Sequence, residues 1–172
     1  MNKDSTFMSE RLYFRGINET DTDRLVAWRS APEVIRYFKQ PKPLTKENHE
    51  KWYENVYCQN LSRFDFIIME KESKEAIGTV GVGCVNYEKR SCEISCMIAE
   101  SDFQRKGYAV EAIAAMMKMM MKEDITCFFA EVHRENIASR KTIEKLKYVP
   151  YGEQLPFIIY FRQETGNAAH SC

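Results

Sequence analysis

The feature that most constrains this chain lies in residues 91–122, where a strand pattern, Ser91 to Ala99, runs through Gln104-Arg105-Lys106-Gly107-Tyr108-Ala109 directly into a helical one. From Gly107 to Lys122 apolar residues recur at Val110, Ile113, Ala114, Met117 and Met121, with Glu111, Lys118 and Lys122 elsewhere on the cylinder. The methionines clustered between Met116 and Met121 read as adaptable core filling. A loop opening onto a helix leaves the first backbone N–H groups without intrahelical acceptors and adds the positive end of the macrodipole. Such a turn suits a pyrophosphate. Gly107 and the small Ala109 let a ligand approach the backbone, and Arg105 and Lys106 add charge. The hexapeptide by itself also fits an ordinary strand-to-helix turn.

The flanking elements alternate in the same way. Arg11 to Ile17 reads as a strand, and Thr20 with Asp23 as a cap for a helix carrying Leu25, Val26 and Trp28. Pro32 opens a second short helix through Val34, Ile35, Tyr37 and Phe38, ended by Gln40-Pro41-Lys42-Pro43. Thr45 caps a third through His49, Trp52 and Tyr53. Strands follow at Phe64–Met69, Ala76–Tyr87, Ser91–Ala99, Thr126–His133 and Phe157–Phe161, with a helix at Asn136–Leu146. Gly78, Gly81 and Gly83 fall inside a strand rather than before a helix, so they predict close packing or a bulge, not a nucleotide loop. The tail after Glu164 reads as frayed.

At 172 residues the chain predicts one domain, residues 1–172 with its core at about 10–162. Twenty-five basic residues balance twenty-five acidic ones, which leaves no electrostatic footprint for a nucleic-acid backbone. No apolar run has the length of a membrane span and Met1 to Ser5 lack the character of a secretory signal, so a cytoplasmic protein, off the membrane, is expected. Six cysteines without paired spacing and three dispersed histidines predict reduced, mostly buried thiols and no metal site.

Gln-x-x-Gly-x-Ala after a strand and before an amphipathic helix resembles the acetyl-coenzyme A motif of the GNAT superfamily of N-acetyltransferases. Glu131 to Ser139, followed by Glu144-Lys145-Leu146, is similar to the next strand and helix of that family. The opening, with Trp28-Arg29, Pro32-Glu33-Val34 and Pro43-Leu44-Thr45, resembles the branch of ribosomal-protein-alanine, spermidine and amino-sugar acetyltransferases. The resemblance spans roughly Glu10 to Tyr148.

It implies an α/β fold: a mixed, largely antiparallel sheet, splayed between its fourth and fifth strands at Ser91 and Thr126 and flanked by about four helices. Acetyl-CoA is then the cosubstrate, no metal is required, and the cofactor contacts fall on Met97, Ile98, Ala99, Gln104, Arg105, Lys106, Gly107, Tyr108, Ala109, Asn136 and Ser139. The Met97 N–H takes the oxyanion. Two carboxylates qualify as general base: Glu93, eleven residues before Gln104, and Glu131, five before Asn136, with Glu93 preferred. Ile143 stands where the family places a general-acid tyrosine and Lys147 where it has a glycine, leaving Ser139, Tyr148 or water as the acid. His133 shares a face with Glu131. Trp28, Arg29, Tyr37 and His49 are weak acceptor-side candidates.

The implied reaction is direct attack, in a ternary complex, of a primary amine on the thioester, the amine belonging to a small molecule such as an amino sugar, nucleotide sugar or polyamine. A protein N-terminus, a catalytically silent acyl-CoA sensor or scaffold, and a partner-binding domain using the methionine-rich helix are the competing readings. The expected assembly is a monomer or homodimer.

Overall fold

The computed structural model describes residues 1–165; the expectation for the tail after Glu164 lies almost wholly outside them. Eight strands form one sheet in the order β1-β2-β3-β4-β5-β6-β8-β7. They are β1 (Thr6–Met8), β2 (Leu12–Gly16), β3 (Phe64–Glu70), β4 (Ala76–Asn86), β5 (Ser91–Ile98), β6 (Cys127–His133), β7 (Val149–Gln154) and β8 (Phe157–Gln163). Every neighbouring pair is antiparallel except β5 and β6. The five α-helices are α1 (Thr22–Ser30), α2 (Pro32–Ile35), α3 (Lys46–Trp52), α4 (Tyr108–Met121) and α5 (Ile137–Lys145), one more than the four expected.

Both sheet faces are covered, which is why the middle of β3 is continuously apolar instead of alternating. Its adjacent Ile67 and Ile68 are both fully buried on opposite faces. Ile68 joins Phe14, Val80, Ala112, Ile113, Met116, Met117 and Met120 in the larger core, where α4 packs. Ile67 joins Ile17, Leu25, Trp28 and Tyr57 in a second core under α1 and the turn after α3. The methionines at 116, 117 and 120 therefore fill the main core.

Local chemistry sets the element ends. Asn18, not Thr20, caps the turn into α1: its side chain accepts from the Thr20 N–H at 2.9 Å, while Asp21 Oδ2 accepts the Asn18 N–H at 3.0 Å. Asp21 is buried and held by both guanidinium nitrogens of Arg15 at 2.7 Å. Thr45 caps α3 through the Asn48 N–H. Helix α2 stops at Ile35, short of the expected Phe38, and the chain continues in tighter turns, with the Tyr37 N–H on the Val34 carbonyl and the Phe38 N–H on the Ile35 carbonyl.

Two expectations are revised. With Thr6–Met8 added as a first strand, the splay falls between the fifth and sixth strands by chain order. Among the described residues Cys92 alone of the thiols is buried; Cys96 and Cys127 are half-buried, and Cys58 and Cys84 are exposed. No described helix is long and apolar enough to cross a membrane. No three described His, Cys, Asp or Glu side chains converge as a metal site would require.

Candidate active site

The turn before α4 is built by contacts distant in sequence. The Gln104 side-chain amide donates to the Ile98 carbonyl at 3.0 Å, folding the loop back onto the end of β5. Gly107 then takes a left-handed backbone, φ 84°, which glycine adopts without a Cβ penalty. The first intrahelical bond runs from the Glu111 N–H to the Gly107 carbonyl at 3.1 Å. Because Gly107 offers no side-chain cap, the amides of Tyr108, Ala109 and Val110 lack intrahelical acceptors. A Cβ built on Gly107 would meet one group within 4 Å, Arg11 Nη2 at 3.6 Å, so open space lies above the turn with a cation at its border.

Arg11 was not singled out for this site by the sequence. Its guanidinium bonds Glu111 at 2.7 Å and the Lys106 carbonyl at 3.1 Å, and stacks 4.2 Å from the Tyr108 ring centre. Glu111 also accepts from the Ser9 hydroxyl at 2.6 Å and the Arg11 N–H at 2.8 Å. Burial acts to raise the Glu111 carboxyl, but these hydrogen bonds and the Arg11 charge outweigh it and hold the group below the usual carboxylate value. The turn is thereby locked to the start of β2.

Strands β5 and β6 pair only at Ser91–Cys127, Cys92–Phe128 and Glu93–Phe129. Beyond that they diverge, β5 to Ile98 and β6 to His133, and a wedge opens between them. The Ala99 N–H bonds the Ile77 carbonyl on β4 at 2.8 Å. Antiparallel alternation then turns the Met97 amide toward its register partner Thr79, leaving the Cys96 and Ile98 amides facing the wedge. The expectation of an oxyanion donor at Met97 thus moves to its neighbours. On the far lip Asn136 caps α5, its side-chain oxygen accepting the Ser139 N–H at 3.1 Å. That engages the Asn136 carbonyl, while its NH2 and the half-buried Ser139 hydroxyl remain for a ligand.

Glu93 and Glu131 lie on the same face of the two diverging strands, Glu131 two residues beyond the Phe129 that Glu93 pairs with. Burial, then the charge of Glu131, pushes the Glu93 carboxyl up; Lys39 and Arg63 oppose this. Glu131 is ion-paired with Lys39. Lys39 belongs to the segment after α2, which is laid over the ends of β6 and β8: the Tyr37 ring is 5.7 Å from His133, and Lys39 Nζ is 5.8 Å from the Phe157 ring. Gly83, register partner of Glu93, has nothing within 4 Å of a would-be Cβ, unlike Gly78, whose Cβ would strike the Met97 carbonyl at 2.0 Å. Close packing accounts for Gly78; at Gly83 the missing side chain leaves space beside the carboxylate.

The acceptor-side candidates separate. Arg29 and Tyr37 are half-buried beside Phe38 and Lys39. Trp28 is buried with its indole N–H on Glu100 at 2.8 Å, and His49 is buried with Nδ1 3.2 Å from the Thr22 hydroxyl. Tyr148 is also buried, its hydroxyl on the Met117 sulfur at 3.5 Å, and Ile143 is a core residue. The acid role expected of Tyr148 therefore finds no opening at the wedge. Lys39 and Arg63 went unmarked in the sequence, and Gly83 was marked only for close packing or a bulge, because only the fold brings them to Glu93.

Comparison with known proteins matches residues 11–149 to the acetyltransferase (GNAT) domain family. An uncharacterized N-acetyltransferase of Bacillus subtilis is 29% identical over 118 residues, covering 68% of this chain and 62% of the relative. An uncharacterized protein of Methanocaldococcus jannaschii is 27% identical over 141 residues, covering 80% of this chain and 28% of the relative. The chain thus spans under two thirds of the length of either relative. Among solved structures, the spermidine N-acetyltransferase of Vibrio cholerae, in complex with CoA and spermine, superposes with TM-score 0.81 at 19% identity, covering 92% of this chain and 98% of that one.

Proposed function

Since the chain belongs to the GNAT acetyltransferase domain family, we propose that it is an acetyl-CoA-dependent N-acetyltransferase acting on the primary amine of a small molecule. The observation that carries this reading is the wedge between β5 and β6, with an open, glycine-started helix N-terminus at one end and two carboxylates on its wall. The residues present fit the cosubstrate. The Tyr108, Ala109 and Val110 amides, with Arg105, Lys106 and Arg11, would hold its phosphates. The gap-facing groups of Cys96 and Ile98 would hold its amide-bearing arm, and Asn136 and Ser139 would bound it from the other lip.

Acetyl-CoA supplies an activated thioester. The chain supplies a base: Glu93, held above the ordinary carboxylate range by burial, takes a proton from the attacking amine directly or through one water. Glu131 is the second candidate, but its ion pair with Lys39 must open before it can act. The Ile98 or Cys96 N–H is aimed at the wedge, where the carbonyl oxygen gains negative charge. A thiolate is a far weaker base than an alkoxide or an amine anion, so the reading does not depend on a dedicated tyrosine acid. The segment carrying Tyr37 and Lys39, roofing the carboxylates, favours a compact acceptor over a protein N-terminus. A monomeric or homodimeric cytoplasmic enzyme, free of nucleic acid and membrane, completes the reading.

The test is a thermal melt with acetyl-CoA followed by thiol release over amino sugars, amino acids, polyamines and peptide N-termini. Ligand stabilisation grows as RT ln(1 + [L]/Kd), so a micromolar site at millimolar ligand adds about 4 kcal/mol. Stabilisation with thiol release is expected. Stabilisation without release would favour the sensor reading, and no stabilisation would overturn the proposal.

A further inference from the structure

The acceptor side holds an unusual set of charges. Arg29, at the end of α1, is half-buried with its guanidinium carbon 5.1 Å from the Phe38 ring centre, and among the described residues it has no ion-pair or hydrogen-bond partner. Taking a guanidinium partly out of water without a bonded counter-charge is costly, and burial followed by the nearby Arg63 charge pulls Arg29 below its usual pKa, against the opposing charge of Asp65. Other half-buried charges nearby are matched: Arg63 with Asp65 at 2.6 Å, and Glu131 with Lys39. Two remain, the Glu93 carboxylate and the Arg29 guanidinium: Glu93, Gly83, Gly81, Asp65 and Ile67 share one sheet face by register, α1 packs on that face through Leu25 and Trp28, and Arg29 lies in its last turn.

The aromatic rings argue in the same direction. Phe38 faces Arg29, Trp52 faces Arg63 at 5.2 Å, Tyr37 faces Arg36 at 4.6 Å and Phe157 faces Lys39. Four rings on the acceptor side thus already carry a cation of the chain. A polycation would meet repulsion from Arg29 and from the cations already on these rings.

We infer that the acceptor is an amine that also carries an anionic group, a carboxylate or a phosphate, and that Arg29 is the specificity residue that binds this group while the amine lies at Glu93. The inference deepens the acetyl-transfer reading and rests on it for the position of the amine. A guanidinium binds either anion through paired N–H donors, and the charge-assisted bonds correspond to roughly tenfold to a hundredfold in affinity.

The experiment uses matched acceptors on the full chain: glucosamine against glucosamine 6-phosphate, glycinamide against glycine, and putrescine as the cationic control. Thiol release is measured with acetyl-CoA, and calorimetric binding is measured separately on the CoA-saturated protein. In at least one pair the anionic member should be favoured tenfold or more, and the preferred pair identifies phosphate or carboxylate. Arg29→Gln should erase that advantage by raising KM while leaving acetyl-CoA affinity and the neutral acceptor unchanged. Arg29→Lys should restore part of it, and also serves if the glutamine variant folds poorly. No discrimination within either pair, a preference for putrescine, or an equal loss on charged and neutral acceptors in Arg29→Gln would overturn the inference. Arg29-dependent anion binding without thiol release would instead reject the transfer reading and leave the anion site standing.

Discussion

Placing a side chain on Gly107 separates strain from electrostatics at the proposed phosphate turn. At φ 84° any L residue is strained, and the left-handed conformation costs about 1–2 kcal/mol. No clash adds to this, because the first atom a Cβ meets is Arg11 Nη2 at 3.6 Å, ordinary contact distance. Gly107→Ala and Gly107→Glu should therefore lose similar stability, with Tm falling by roughly 2–8 °C for a domain of this size. Their affinities should diverge. A glutamate carboxylate about 5 Å from a bound phosphate charge, at an effective dielectric of about 20, opposes it by about 3 kcal/mol, close to a hundredfold in Kd. Calorimetric titration with acetyl-CoA should show a modest loss for alanine and about two further decades for glutamate, a deficit that shrinks as salt is raised. If the two variants bind alike, the phosphates do not sit on this turn and the site assignment built on it fails.

Three further outcomes follow from the geometry. Gly83→Ala should leave the melting temperature nearly unchanged and raise the acceptor KM, whereas Gly78→Ala should fold poorly, since its Cβ would lie 2.0 Å from a backbone oxygen; matching melts for the two would refute the contrast. Glu93→Gln should retain acetyl-CoA affinity but slow transfer, and the acid limb of the wild-type kcat/KM profile, placed above the ordinary carboxylate range by burial and Glu131, should disappear; an unaltered profile would exclude Glu93 as the base. Glu111→Gln should destabilise the protein by about 2 kcal/mol where the carboxylate is ionised in both states. Because the folded pKa is depressed below the ordinary 4.5, that difference is full above about pH 4.5 and fades as pH falls through the folded value; denaturant melts against pH would show a constant difference if the lock is absent.

What the sequence made legible was mostly periodic. Helix α4 and strands β3 to β6 were readable because each buries a regular stripe or run. Strand β7 was not, since Pro150 and Gly152 contradict a strand pattern and its pairing with β8 is what holds it extended. Strand β1 is only three residues, Thr6–Met8, too short for periodicity to register. At the site, the turn at Gln104–Ala109 was visible as a local motif, and the two glutamates came from spacing and resemblance. The Lys39–Glu131 pair and the Arg11–Glu111 lock were invisible, and Arg29 was named as an acceptor-side candidate without any sign that it stands unpaired, because each depends on which distant side chains the fold brings near. The direction of the Met97 amide follows from the β4–β5 register, which residue types do not encode.

The three-rung seam between β5 and β6 has a consequence for cohesion. The sheet to its left and the β6-β8-β7 portion to its right share few backbone bonds, so their alignment leans on α4, α5 and the core between them. If the proposed cosubstrate lies in the gap, its amide groups would replace rungs that the polypeptide omits and act as a temporary ninth strand. The molecule would then be stiffest while holding the reagent it is about to consume, and each turnover would remove part of its own scaffold.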